Sequence, residues 1–250
     1  MAETELIAWE QPPAILACPN DEVHLWCGKT ESLSSQLPRF VETLAAEERT
    51  RSDRFRFLHH RDAFIVAHGM LRVILSRYEA CKPALLWLET APLGKPYLRR
   101  QNGLASLLRF NLSHTEGLIL LAVAMDREVG VDVEWSQKEM EWMTMAEHFF
   151  APTEVETLRR CPAEELRLAF FRCWTRKEAY LKARGDGLSF PTQQFAVSCT
   201  PDAPLSLHVN NAPEESQRWK LYHLAPQPDY VGALACEAAP ERIRFYQVLE

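Results

Sequence analysis

Glu178 is the residue in this sequence that an ordinary fold would not place where it stands. In the stretch Phe170 to Leu188, FFRCWTRKEAYLKARGDGL, helical residues advance by about 100° each, which sets Phe170, Phe171, Trp174 and Leu181 on one arc with Glu178 inside it. A carboxylate on an apolar stripe is unfavourable by several kcal/mol when unpaired, so Glu178 needs a cation. Lys182 lies one turn on, at the i,i+4 spacing, and Lys177 flanks the stripe. Gly185 and Gly187 are expected to end the helix in a left-handed cap. The helix alone leaves two readings open, a site or a salt bridge at the margin of a core helix.

A second pair of acids lies in VGVDVE, Val129 to Glu134. In a strand Val131 and Val133 point one way, while Gly130, Asp132 and Glu134 point the other. The Cα atoms of Asp132 and Glu134 are then about 6.6 Å apart, close enough for both carboxylates to reach one hard cation. Gly130 beside them leaves room for backbone to approach a ligand. The alternative is an edge strand with acidic outer residues. Three further motifs are weaker alone. Arg49, Arg51, Arg54, Arg56 and Arg61, with His59 and His60 against only Asp53, form either a solvated face or a phosphate clamp. LGKPYL, Leu93 to Leu98, reads as a turn opened by Gly94, set by Pro96 and tipped by Lys95. FNLSH, Phe110 to His114, reads as a polar turn before a buried strand, and no GxSxG elbow surrounds Ser113.

The elements that must hold these groups follow from periodicity. A loose lead-in from Met1 to Pro19 precedes an expected strand at 23–26. Expected helices follow at 37–44, 46–54 and 60–78, the last with Ala63, Phe64, Ala67, Leu71, Ile74 and Leu75 at spacings of three and four. Apolar strands are expected at 118–124 and 129–134, a helix at 154–160 opened by a Thr153–Glu156 capping box, and strands at 195–199, 205–209, 219–224 and 230–237. Ala45-Ala46-Glu47-Glu48 before Arg61-Asp62-Ala63-Phe64 is echoed by Ala151-Pro152-Thr153-Glu154 before Arg167-Leu168-Ala169-Phe170, an offset of 106 residues. The expectation is an α+β fold of two duplicated halves, 1–128 and 129–250. Each half has helices on a small antiparallel sheet, and the active site lies between them.

Composition excludes several classes. With 250 residues, 47% of them hydrophobic, the chain can bury a sizeable core as one large domain or two small ones. Its longest apolar run, Leu118 to Met125, is eight residues, under half of a membrane span. The start MAETELIAWE is acidic where a secretory signal is basic. Seven scattered cysteines without a CxxC pair suggest reduced thiols and a cytoplasmic protein. A net charge of −6 argues against nucleic-acid binding, so any anion site must be local.

GVDVE at 130–134 followed by WTRKEAYLK at 174–182, with LGKP at 93–96, FNLSH at 110–114 and FF at 149–150 in order, resembles the paired signature of the 4′-phosphopantetheinyl transferases, in their two-domain, surfactin-type branch. The resemblance implies transfer of the phosphopantetheine arm of coenzyme A to a serine of an acyl or peptidyl carrier protein, with release of adenosine 3′,5′-bisphosphate. It also implies that Asp132, Glu134 and Glu178 bind Mg²⁺ or Mn²⁺, that Glu178 takes the serine proton, and that Lys182 and Lys177 lie near the pyrophosphate. Gly94, Lys95 and Pro96, with Ser113 and His114, match positions at the adenine and 3′-phosphate end, and Arg51 matches a 3′-phosphate cation. A monomer without membrane or nucleic-acid partners is expected. The alternatives are a metal-dependent phosphohydrolase or nucleotidyl transferase using the same acids, and a catalytically silent module that binds carrier protein.

Overall fold

The computed structural model describes residues 5–100, 102–200 and 203–248, so the first four residues of the lead-in lie outside them. The chain runs through β1 (Glu22–Lys29), α1 (Thr30–Leu33), α2 (Leu37–Thr43), α3 (Ala46–Ser52), α4 (Leu58–Tyr78), the hairpin β2 (Trp87–Thr90) and β3 (Pro96–Arg99), and β4 (Leu108–Thr115). It continues with β5 (Leu118–Met125), β6 (Val129–Trp135), α5 (Trp142–Phe149), α6 (Pro152–Arg160) and α7 (Ala163–Arg184). It closes with β7 (Phe195–Val197), β8 (Leu207–Val209), α8 (Pro213–Arg218), β9 (Trp219–Leu224), β10 (Tyr230–Glu237) and β11 (Arg242–Gln247). This is an α+β arrangement.

Two sheets make the centre. One has the order β11-β1-β5-β4, parallel only where β11 meets β1, and the other is antiparallel β6-β10-β9. The apolar run of β5 is explained by burial on both faces. Leu118, Leu120, Ala122 and Ala124 pack with Val23 and Leu25 onto Val129, Val131, Val133 and Leu234 of the second sheet. The alternate residues Ile119, Leu121 and Val123 pack with Trp26 onto Phe64, Ala67 and Leu71 of α4. Behind the second sheet, Ala233 and Ala235 of β10 meet Phe170, Ala179 and Ala183 of α7. The order of layers is therefore helix, sheet, sheet, helix, and period-2 strands divide their residues between the two cores.

The structure changes several expectations. FNLSH is not a turn but the middle of β4, because Leu108 and Phe110 alternate into the core while Asn111 and Ser113 face the second sheet. The cap of α6 is Ala151, whose N–H donates to Glu154 Oε2 at 2.7 Å, so Glu154 closes the first turn and the Thr153–Glu156 box does not form. Helix α5 and strand β11 lie outside the sequence pattern read above. Strand β11 pairs in parallel with β1, so the chain returns after β10 to the sheet that β1 began.

The 106-residue echo has a physical counterpart. Glu48 Oε2 accepts the Ala45 N–H at 2.9 Å, as Glu154 does from Ala151, and each acid is paired with a cation of the following long helix. Arg72 Nε reaches Glu48 at 2.5 Å and Lys177 Nζ reaches Glu154 at 2.7 Å. Each cation also donates onward, Arg72 to the Pro83 carbonyl and Lys177 to the Phe195 carbonyl.

Candidate active site

The two sheets meet along the edges of β4 and β6 without a backbone ladder, and side chains of β4 take its place. Asn111 Oδ1 accepts the Val131 N–H at 2.9 Å, Ser113 Oγ accepts the Val133 N–H at 3.4 Å, and Thr115 Oγ1 accepts the Trp135 N–H at 3.4 Å. Period-2 alternation makes this possible, because residues 111, 113 and 115 lie on one side of β4. The buried N–H groups of β6 are thereby satisfied. Asn111 and Thr115 were not among the residues singled out in the sequence. The polar alternation in LRFNLSHT was the available signal.

On the other side of β6, α7 comes unusually close. A Cβ on Gly130 would lie 2.1 Å from the Ala179 carbonyl oxygen and 2.3 Å from the Ala183 nitrogen. The room beside the acids is therefore filled by the helix that carries Glu178, not by a ligand. Helix α7 then ends as expected, with Gly185 in the left-handed region at φ 84°.

This approach brings Asp132, Glu134, Glu178 and Lys182 together with Ser113, His114, Phe149 and Trp174 around a cavity of about 370 Å³. Asp132 is 4% exposed. Its Oδ1 accepts from Lys182 Nζ at 2.6 Å and from Ser113 Oγ at 2.9 Å, and its buried Oδ2 has no hydrogen-bond partner. Lys182 also reaches Ser113 Oγ at 3.1 Å. The cation expected for Glu178 thus donates to Asp132 instead, and acts on Glu178 only as a nearby charge. Burial, and then the neighbouring Asp132 charge, push the pKa of both Glu178 and Glu134 upward, while Lys182 opposes the rise in both. Burial also pushes His114 below the usual histidine range, and the charges of His68 and Lys182 act in the same direction.

Three hard oxygen donors with an unpartnered buried Asp132 oxygen fit a divalent cation such as Mg²⁺ or Mn²⁺. Among the described residues, the group whose potential ligand atoms all lie within 4.8 Å is a different one, Glu154 with Cys173 and Cys199. Both oxygens of Glu154 already accept there, Oε2 from the Ala151 N–H and Lys177 and Oε1 from the Val197 N–H, and its charge is paired with the Lys177 ammonium.

The remaining expected residues separate. Lys177 is 2% exposed and donates to Glu154 and the Phe195 carbonyl, so its expected place at the pyrophosphate is corrected. The reason is helical phase: Lys177 precedes Glu178 by one residue and so faces another side of α7. Lys95 is not a free turn tip. Its ammonium is held by Glu128 Oε2 at 2.5 Å, the Ala183 carbonyl at 2.6 Å and the Val129 carbonyl at 3.3 Å. Lys95 and Pro96 line a different, mostly apolar cavity of about 460 Å³ with Leu93, Tyr97, Phe110 and Arg184. Gly94 turns the β2–β3 hairpin at φ 99°, its N–H donating to the Ala91 carbonyl at 2.8 Å. Arg51 is exposed and lines neither cavity, lying over the Phe64 ring at 5.1 Å while Phe64 stacks on His68 at 4.0 Å.

Residues 128–235 match a family model described as the 4′-phosphopantetheinyl transferase superfamily, and residues 29–126 match one described as 4′-phosphopantetheinyl transferase, N-terminal. The chain is 37% identical over 227 residues to the 4′-phosphopantetheinyl transferase HetI of Nostoc sp., covering 91% of this chain and 92% of that protein. It is 30% identical to the 4′-phosphopantetheinyl transferase psf-1 of Bacillus pumilus, over 83% of this chain and 91% of that one. It is 26% identical to the 4′-phosphopantetheinyl transferase Sfp of Bacillus subtilis, over 81% of this chain and 86% of that one.

Proposed function

The chain belongs to the 4′-phosphopantetheinyl transferase superfamily, and on that premise we propose that it transfers the phosphopantetheine group of coenzyme A to a serine hydroxyl of an acyl or peptidyl carrier protein. One observation carries the reading: acids from β6 and α7 line one cavity, and a buried oxygen of Asp132 lacks a partner. Asp132, Glu134 and Glu178 would hold Mg²⁺ or Mn²⁺. Bound there, the ion neutralises charge on a diphosphate.

The chain's own residues do the rest. Glu178 takes the serine proton, directly or through one water. The serine oxygen attacks the β-phosphorus as the bond from that phosphorus to the bridging oxygen breaks, and adenosine 3′,5′-bisphosphate leaves with the electron pair. No covalent enzyme intermediate forms. Lys182 uses two donors on Asp132 and Ser113, and its third is available to a phosphate oxygen. His114, at the carboxylate cavity, and Arg51, outside it, would take the 3′-phosphate, and Lys95 and Pro96 of the apolar cavity, on the hairpin that Gly94 turns, would take the adenine. In this division residues 1–128 carry the nucleotide end and residues 129–250 the metal and diphosphate end. The protein acts as a monomer in the cytoplasm. All seven cysteines are free, as in a reducing compartment, and no helix among the described residues is long and apolar enough to cross a membrane.

The test is a panel of apo-carrier proteins incubated with coenzyme A and Mg²⁺ and read by mass spectrometry. The expected result is a mass gain of one phosphopantetheine group on at least one carrier, lost by more than a hundredfold in rate in Glu178→Gln with the Tm retained. Nucleotide turnover without any carrier would instead favour a phosphohydrolase. Glu178→Gln activity within a few-fold of wild type would remove Glu178 from the mechanism.

A further inference from the structure

The seam between β6 and α7 is closed at one end by a residue of neither element. A Cβ at Gly130 would meet the Ala183 nitrogen at 2.3 Å, and beside that contact the carbonyls of Val129 and Ala183 both accept from Lys95 Nζ, at 3.3 and 2.6 Å. The third acceptor is Glu128 Oε2 at 2.5 Å. An ammonium has three donors, and here each has an acceptor, so none is left for a ligand in the cavity of Leu93, Tyr97 and Phe110. The Lys95 side chain is 13% exposed. Glu128 has a second partner in Arg109 Nε at 2.8 Å, so its charge does not depend on the lysine alone.

The β2–β3 hairpin is shaped to bring that side chain in. The Lys95 stem lies against the cap of α7, since a Cβ on Gly185 would fall 3.0 Å from Lys95 Cδ, and the Leu93 carbonyl is 3.6 Å from where a Gly187 Cβ would lie. Ala183 stands in the last turn of α7, where carbonyls have no N–H of their own helix to bind and a cation favours the negative end of the helix dipole. Ala183 directly follows Lys182, and Glu178 is little more than a turn earlier. Val129 begins the strand that carries Asp132 and Glu134. Lys95 thus joins the two elements that supply the acids, and it does so from outside the cavity they line.

We infer that Lys95 is a positioning residue for the transfer reaction: its ammonium clamps the last turn of α7 to the start of β6 and so fixes Glu178 and Lys182 against Asp132. The inference rests on the transfer reading given above. The ammonium acts through the two backbone carbonyls, whereas a nucleobase in the apolar cavity would meet only the lysine stem. The two roles separate by what they perturb. A nucleotide contact changes how coenzyme A binds, and a positioning contact changes the chemical step.

The test removes the ammonium and keeps the stem, in Lys95→Met of the full chain. Transfer to an apo-carrier protein is measured once with coenzyme A and once with an analogue that lacks the adenine base. The expected result is a fall of about tenfold or more in kcat, a KM for coenzyme A within about twofold of wild type, and the same fall in kcat with the base-free analogue. Lys95→Arg, which keeps the cation, should lose less. Mn²⁺ affinity, read without carrier from the paramagnetic resonance of the free ion, does not depend on turnover. Removing a nearby positive charge would by itself tighten Mn²⁺, so a loosening of about threefold or more in Lys95→Met reports displaced acids. A KM for coenzyme A that rises about tenfold at unchanged kcat overturns the inference and makes the ammonium a nucleotide contact. Mn²⁺ affinity that is unchanged or tighter also overturns it. If wild type modifies no carrier, the transfer reading fails, and the Mn²⁺ comparison still decides whether Lys95 holds the acids together. Should Lys95→Met not fold, the same measurements on Lys95→Arg decide, a loss of kcat at constant KM supporting the inference and an unchanged kcat overturning it.

Discussion

Lys177 and Lys182 are five residues apart on α7 and serve different chemistries. Lys177 completes a buried pair with Glu154, both partners under 5% exposed. Its replacement by alanine leaves Glu154 uncompensated and is expected to destabilise the protein by roughly 3–5 kcal/mol in urea unfolding, with the KM for coenzyme A unchanged. A tenfold rise in that KM at unaltered stability would return Lys177 to the diphosphate. Lys182 faces three acids. Because Glu134 and Glu178 have folded pKa values above the ordinary 4.5, the metal-free protein is favoured by their protonation below pH 4.5 and loses that stability as pH rises through the folded values. A divalent cation bound by the ionised carboxylates has the opposite dependence. The Tm increment produced by Mg²⁺ is therefore expected to be near zero around pH 4.5 and to grow toward pH 8 in calorimetry. An increment independent of pH would dissociate these two carboxylates from the metal.

Among the elements, the close approach of β6 to α7 is what makes the site. Gly130→Ala drives a methyl group into the Ala179 carbonyl, so α7 must move and carry Glu178 and Lys182 with it. The expected outcome is a loss of about 3 kcal/mol in urea unfolding together with more than a tenfold fall in kcat. Unchanged kcat in a destabilised protein would show that the site tolerates the shift. The β4 to β6 edge works the same way at the opposite side of the site, since Asn111, Ser113 and Thr115 hold the strand of acids through its N–H groups. Ser113 has a further role, because the same hydroxyl donates to Asp132 Oδ1.

Across the whole molecule, β11 returns the chain to the sheet that holds β1. Strand β11 covers the edge of β1, and Tyr246 packs on Trp26 with ring centroids 5.0 Å apart. Removal of residues 242–250 exposes that edge. It is expected to lower the unfolding free energy by more than about 3 kcal/mol and to cause concentration-dependent association in size-exclusion chromatography. A stable, monomeric truncation would show that β11 is dispensable. At this scale the roles of sequence and fold divide clearly. The amino-acid order by itself determined that Asp132 and Glu134 share a face of β6, that Glu178 sits on the aromatic stripe of α7, and that the helix ends at Gly185. These follow from strand and helix periods, which covalent geometry imposes within a few residues. Only the tertiary structure decided which cation serves which acid, because Lys182 meets Asp132 and Lys177 meets Glu154 across 50 and 23 residues of chain, contacts that exist only once β6 and α6 pack on α7. It also decided that the space at Gly130 belongs to a helix and that FNLSH is a strand whose polar side chains replace a missing ladder. Both are properties of surfaces that touch only after folding.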